Sequence, residues 1–284
     1  MSAKVRLLVF LSLACACGSV AYADQTIEIP ASQDVTLFGG SDATTNNTSS
    51  GPGMFVGTDG NKAPKRALVE FNIASAIPAG STINSASLTL YLGMVAGAAG
   101  GSSGTTTPRN INLYTISDPW NGSTDGTSAD KKDSIPASGF GGTGHGYAPN
   151  TGDSTWNYSM YNTTAWTNPG GDFSTTVSST LTDTSTWTLG EAYTWPSTSM
   201  MVLNVQNWLD GTTVNNGWVL KNTDETDSLT FRAFYTAEGA AEQSVPQYAP
   251  ELTVDYTPAP EPTSMMIFLA APLFLRRRRS RVVP

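Results

Sequence analysis

The stretch Ser85-Ala-Ser-Leu-Thr-Leu-Tyr-Leu92 decides the fold class. Its apolar members Ala86, Leu88, Leu90 and Leu92 fall at every second position, between Ser85, Ser87, Thr89 and Tyr91. Side chains of an extended chain point alternately to opposite faces, so this pattern predicts a half-buried strand. Upstream, Ala67, Val69, Phe71 and Ile73 alternate with Arg66, Leu68, Glu70 and Asn72. Ile77-Pro-Ala-Gly-Ser81 lies between the two and reads as a turn, Pro setting φ and Gly supplying freedom. Further strands are predicted at 26–30, 34–38, 53–57, 110–116, 184–189, 199–205, 217–222, 229–235 and 250–256, with only Val205–Leu209 briefly helical. About ten short strands separated by Gly, Asn and Asp turns predict an all-β domain, a single antiparallel β-sandwich of jelly-roll type.

Two regions interrupt the rhythm. Ala96–Pro108 is rich in Gly, Ser and Thr and reads as a loop between strands. Residues 117–182 hold few aliphatics but many rings: Trp120, Phe140, Tyr147, Trp156, Tyr158, Tyr161, Trp166 and Phe173. A loop region this long is uncommon inside a compact domain and is either functional or packed on itself. No internal repeat and no linker marks a second domain.

Composition agrees with this class. Only 13% of the 284 residues are charged, which argues against helical bundles and coiled coils. The chain is 39% hydrophobic and 10% aromatic with seven Trp, too apolar for a disordered polymer.

The two ends read as processing segments. Residues 1–23 carry Lys4 and Arg6, an apolar run from Leu7 to Cys17, and Ala21-Tyr-Ala23, the three parts of a secretory signal peptide. Cleavage is expected between Ala23 and Asp24. A lipoprotein cut would need a Leu-like residue three positions before the acylated Cys, where Ser12 and Ala14 stand. Both cysteines, Cys15 and Cys17, fall inside the leader, so the expected mature body has no disulfide, thiol nucleophile or thiolate metal site. Residues 258–284 contain Pro260-Glu261-Pro262, the apolar run Met265–Leu275, and Arg276, Arg277, Arg278 and Arg279. The run falls well short of the ~20 residues of a comfortable span, and arginines directly after it suit a transient membrane anchor with a cytoplasmic basic end.

Setting both ends aside leaves eight of the 15 basic residues but all the acidic ones except Glu261. Nucleic-acid binding relies on Lys and Arg to displace counterions, so no nucleic-acid partner is expected of so acidic a body.

The C-terminal segment, with motif, apolar run and arginines in that order, resembles the PEP-CTERM sorting signal of Gram-negative bacteria. That resemblance implies cutting by an exosortase-type processing enzyme and delivery to the cell surface or extracellular matrix, after transient insertion in the inner membrane. The body, 24–257, resembles the DNRLRE domain family. The resemblance rests on Arg66-Ala-Leu-Val-Glu-Phe-Asn-Ile73, Ile77–Tyr91, Val205-Gln-Asn-Trp-Leu-Asp-Gly211, Asn216-Gly-Trp-Val-Leu220 and Ala249–Tyr256, in family order. The namesake motif is degraded, reading Leu229-Thr-Phe-Arg-Ala-Phe-Tyr235. The family resemblance implies a jelly-roll module related to carbohydrate-binding modules, some of them associated with alginate and other acidic polysaccharides.

Catalytic chemistry has few footholds in the sequence. His145, the one histidine, sits in Gly141-Gly-Thr-Gly-His-Gly146, a loop poorly suited to positioning a general base. There is no Gly-x-Ser-x-Gly elbow, and the separation of paired carboxylates is a three-dimensional quantity. Sugar binding asks for something different: pyranose C–H faces stack on aromatic planes held on a rigid scaffold. Trp120, Trp156, Tyr158, Tyr161 and Trp166 are the candidates, with pinning of the long loop as the alternative role for the same rings. Trp208 and Trp218 lie beside aliphatics and are expected in the core, while Trp187 and Trp195 fit either environment. Structural calcium has candidate ligands in the turns around Asp59, Asp224 and Asp227, without an EF-hand pattern, and solvated acidic turns are the competing reading. No other cofactor is expected. The sequence thus predicts an exported, non-catalytic polysaccharide-binding module. The alternatives are a structural matrix protein without a specific glycan ligand and a polysaccharide-degrading enzyme.

Overall fold

The computed structural model describes residues 23–41, 48–49, 51, 53–95, 109–122, 149–182 and 187–259. His145, Phe140 and Tyr147, the sorting motif Pro260, Glu261 and Pro262, and Arg276–Arg279 lie outside them. Ala23 and Asp24, at the expected leader junction, are exposed. No helix among the described residues is long and apolar enough to cross a membrane.

The plain sandwich expected from the alternation is corrected by how two long strands behave. β1 (Gln25–Phe38) and β5 (Thr82–Val95) each run for 14 residues, roughly 45 Å at an ordinary strand rise. Each changes partner along its length. β1 pairs through Gln25–Pro30 with β13 (Glu251–Thr257), then through Ala31–Phe38 with β4 (Pro64–Phe71), with an irregularity between Ala31 and Gln33. β5 pairs with β13 over Thr82–Thr89 and with β12 (Arg232–Tyr235) over Leu92–Val95. β12 pairs with β3 (Gly53–Thr58), and Gly57 and Thr58 of β3 pair with β4. These pairings close a ring of six antiparallel strands, β1-β13-β5-β12-β3-β4. The body is therefore a six-stranded barrel with added strands. Closure removes the open edges a flat sandwich would present.

The additions hang from this ring. β11 (Trp218–Asn222) pairs with β4, β6 (Ile111–Thr115) with β11, and β9 (Ser179–Leu181) with β6. β10 (Ala192–Trp195) pairs with β5, and β2 (Thr48–Ser49) with β1. A separate hairpin joins β7 (Tyr158–Met160) and β8 (Thr164–Ala165).

Element by element, the alternation at 85–92 holds: Ala86, Leu88, Leu90 and Leu92 are fully buried in the main core. The segments predicted at 26–30 and 34–38 are one bent strand. Residues 199–205 are not a strand but the first part of α2 (Ser199–Leu209). The Thr198 side chain caps it by accepting from the Met201 N–H at 3.0 Å. Met201, Val205, Trp208 and Leu209 are its buried face, a helical spacing hidden by the unbroken apolar run Met200–Leu203. Gln206 stitches α2 to β5, accepting from the Ile83 N–H at 2.8 Å and donating to the Ser81 carbonyl at 3.1 Å. In the stretch expected at 184–189, the described residues 187 and 188 are in no strand, and Leu189–Gly190 turn, with Gly190 at φ 77°, before β10 begins. The short helices α1 (Ile73–Ala76) and α3 (Ala237–Glu242) complete the elements used below.

Trp187, Trp195, Trp208 and Trp218 all belong to the main core. The Trp195 indole N–H donates to the Ile111 carbonyl at 2.8 Å, and Trp208 meets Trp218 edge to face at 4.5 Å. Each buried ring removes a large apolar area from water, and edge-to-face geometry adds about 0.5–1.5 kcal/mol. At Gly217, φ is 69° and an added Cβ would lie 2.1 Å from the Val69 carbonyl, so β11 can pack on β4 only with glycine there.

Candidate functional site

The long aromatic segment is built onto the outward face of β1, β4 and β11. Strand alternation that sends Ala67 and Val69 into the main core sends Leu68 the other way, together with Val35, Leu37 and Val219. Ile116, Trp120 and Trp166 cover these side chains and form a second apolar cluster, with Tyr114, Trp156 and Phe173 packed against it. Trp120 is 3% exposed and donates its indole N–H to the Asn216 carbonyl at 2.8 Å. Trp166 is 5% exposed and donates to the Thr155 carbonyl at 2.8 Å. Both rings anchor the segment to the barrel with every polar atom satisfied, the pinning role that the sequence left open.

Trp156, Tyr158 and Tyr161 are placed differently. All three are half-buried, and Tyr158 meets Tyr161 edge to face at 5.5 Å at the β7 side of the β7–β8 hairpin. Asn162 takes φ 60° in the hairpin turn, a conformation Asn tolerates better than most residues. Local bonds fix the hairpin: the Tyr161 N–H donates to the Asp153 carbonyl at 2.7 Å, and the Ser154 hydroxyl to the Ser159 carbonyl at 2.7 Å. Of the five candidate rings, two are sealed anchors and three are half-buried, Tyr158 and Tyr161 against each other and Trp156 beside Arg66.

Arg66, in the sequence a strand residue and the start of a family-like segment, organises the surroundings of Trp156. Its guanidinium lies 4.8 Å from the Trp156 ring centroid and 5.5 Å from that of Phe173. It donates to the Gly170 carbonyl at 2.8 Å and grips Glu225 with two bonds, 3.0 and 2.8 Å. Gly170 has φ 88°, and a Cβ there would lie 2.5 Å from Arg66 and 2.8 Å from Trp156. The one sequence signal for Arg66 is a cation at an outward position of a mostly apolar strand.

Asp172 holds the next turn. Its carboxylate accepts from the Thr167 N–H at 2.6 Å, the Asn168 N–H at 2.9 Å and the Asn168 amide at 2.7 Å. Burial alone would push this carboxyl up, but the Asn168 side chain, the two backbone N–H groups and Asp118 together hold it below the usual range. Asp118 moves the other way, raised by burial and then by Asp172. The two carboxyls shift each other in opposite directions, a pairing with no sequence signature.

The residues proposed for calcium are occupied by other partners. Asp59 accepts from the N–H groups of Asn61 (2.8 Å) and Ala63 (2.9 Å), and its second oxygen pairs with Lys65 at 3.0 Å. Burial opposes ionisation of Asp59, yet Ala63, Lys65 and Asn61 outweigh it and lower its pKa. Asp224 accepts from the Thr226 N–H and hydroxyl, at 2.8 and 2.7 Å, and pairs with Arg109 at 3.4 Å. Asp227 pairs with the same Arg109, and Glu225 with Arg66 and Lys221. Local cations therefore already neutralise these turns.

No family model matches the chain, and no curated protein does. The resemblances drawn above rest on the quoted segments.

Proposed function

We propose that this protein is a non-catalytic polysaccharide-binding module, exported by its N-terminal leader and sorted by an exosortase-type enzyme to the surface or matrix of a Gram-negative-type bacterium. The observation that carries the binding reading is the partial exposure of Trp156, Tyr158 and Tyr161. Tyr158 and Tyr161 sit at a hydrogen-bonded hairpin, and the chain on either side of it is held by buried Trp120 and Trp166. Aromatic faces fixed in this way suit the C–H faces of sugar rings without an ordering cost on binding.

Retention of the full chain on immobilised alginate, cellulose and chitin tests this reading. Tyr158→Ala and Tyr161→Ala should each weaken retention on the bound glycan while moving the melting temperature by only a few degrees. Retention unchanged in the double variant, or absent on a broad glycan array, would overturn it. Product analysis of the same incubations tests the polysaccharide-degrading alternative. Mass spectrometry of surface-extracted protein reads the two expected cuts, after Ala23 and near Pro260-Glu261-Pro262.

A specific observation favours the second reading, a structural matrix protein without a specific glycan ligand. The outward side chains of β1, β13 and β5 form a hydroxyl and carboxylate ladder. Thr26 and Ser85 both donate to Asp255, at 2.5 and 2.7 Å, and lower its pKa. Thr89 bonds Thr194 at 3.0 Å, and Glu251 is raised by burial and then by nearby Glu28. Such a face suits solubility or ion-mediated self-association. Light scattering with and without calcium separates the two readings: growth in particle size without glycan retention favours the matrix protein.

A further inference from the structure

The outward face of β13, β5 and β10 carries rings that play no part in the hairpin. Leu88, Leu90 and Leu92 fill the core, so Thr89 and Tyr91 between them point out of the barrel. Tyr91 is half-buried, and Ala192, directly opposite it on β10, is exposed and too small to cover its ring. Tyr248, in the turn Pro246–Tyr248 just before β13, stacks on Tyr91 with centroids 4.6 Å apart and planes 16° from parallel. Tyr248 is half-buried too. The pair stands on a barrel strand and on a turn held against it, so little is left to order when a ligand arrives.

The same face continues from the tyrosines into carboxylates. Glu251 pairs with Thr89, and Asp255 with Ser85, at outward positions of β13, whose alternate residues Leu252 and Val254 are in the core. Glu28 lies in the neighbouring outward row of β1 and is exposed. From Tyr91 to Ser85 the face runs about 20 Å along β5. Residues 24–30, 82–92, 192–195 and 246–257 contain no Lys, Arg or His. Among the described residues, Glu28, Glu251 and Asp255 form no ion pair. Such a face repels an acidic polysaccharide and attracts a cationic one.

We infer that this sheet face binds a glycan rich in free amino sugars, glucosamine-type units that carry a protonated amine. Tyr91 and Tyr248 offer ring surface to the sugar C–H faces, and the Thr89 hydroxyl bonds a sugar hydroxyl. Glu251 and Glu28 receive the ammonium groups, through charge-assisted hydrogen bonds stronger than neutral ones. Acetylation of the amine removes the charge and with it this part of the recognition. The inference takes its ligand class from the polysaccharide-binding reading, but it uses a different surface. It shares no residue with Trp156, Tyr158 and Tyr161, so either can fail alone.

Titration calorimetry of the full chain with soluble oligomers of glucosamine and of N-acetylglucosamine tests it, at a pH where the free amine is protonated. The glucosamine oligomer should bind at least about tenfold more tightly. Glu251→Gln, at a surface position, should weaken that binding by about threefold to tenfold, and Tyr248→Ala by a similar factor. Asp210→Asn removes the same charge from the exposed residue after α2 and should change nothing, which separates this face from the general acidity of the body. Equal affinity for the two oligomers, or an affinity for glucosamine undiminished in Glu251→Gln, would overturn the inference. Binding lost in the Tyr158→Ala, Tyr161→Ala double variant but kept in Glu251→Gln would also overturn it, while leaving the polysaccharide-binding reading intact.

Discussion

The guanidinium of Arg66 lies over the Trp156 indole, 4.8 Å from its centroid, while the same group grips Glu225 with two hydrogen bonds. One side chain of β4 thereby joins the aromatic segment to the loop after β11. The planar, always-charged fork can do both at once, and an ammonium cannot.

Removing Arg66 should therefore cost stability and order together. Arg66→Ala is expected to destabilise the protein by about 3–5 kcal/mol, the range for breaking a largely buried ion pair. Arg66→Lys, which keeps the charge but loses the fork and the stacking plane, should fall in between. Urea unfolding gives the stability change, and the near-ultraviolet circular dichroism of Trp156 should weaken in parallel. A neutral Arg66→Ala would show that the contact carries no energy.

Trp120 and Trp166 are predicted to act as fasteners. Truncating either to Ala should cost about 3–5 kcal/mol, as for other large buried aromatics, because it leaves a cavity and orphans a carbonyl. Neither change should alter which glycan is preferred in the residual folded fraction. Chemical denaturation combined with glycan retention separates this outcome from direct stacking, which would remove retention at little cost in stability.

The turn held by Asp172 should be acid-sensitive in a defined direction. A carboxyl whose folded pKa is depressed stabilises the fold above its unfolded value, about 3.9, and loses that contribution as pH falls through the folded value. Asp172→Asn should lower the melting temperature at pH 7, and the gap from the native chain should close from about pH 5 downward. A gap that stays constant to pH 3 would mean the charge of Asp172 is not what holds Thr167 and Asn168.

Lys65 is 1% exposed, and its ammonium pairs with Asp59. Asp59→Ala strips the partner from a buried cation and is expected to cost about 3–5 kcal/mol, with calcium giving no rescue at this position. Replacing both residues, Lys65→Met with Asp59→Ala, should recover much of the loss, since an apolar pair avoids the desolvation penalty. A double-mutant cycle followed by urea unfolding measures the coupling.

What the amino-acid order determined by itself is local. The period-two placement of Ala86, Leu88, Leu90 and Leu92 requires an extended strand with one buried face, and the structure buries these four residues. The same holds for Ala67, Val69 and Phe71, because side-chain direction along a strand is set by backbone geometry alone. Near Met200–Leu203 this logic failed, since an unbroken apolar run fits a helix or a strand and only the cap at Thr198 and the contacts of Val205 and Trp208 choose between them. Closure of the barrel was not legible either. It depends on β1 and β5 exchanging partners midway, and pairing between residues such as Gln25 and Tyr256 is a long-range event that no local pattern encodes. The division of the five candidate rings has the same origin. Trp166 and Tyr158 look alike in sequence, but one is buried in the cluster that includes Leu68 and Val219 and the other is half-buried in the β7–β8 hairpin. Exposure belongs to the assembled surface, so tertiary packing alone decided which rings remain partly open to solvent.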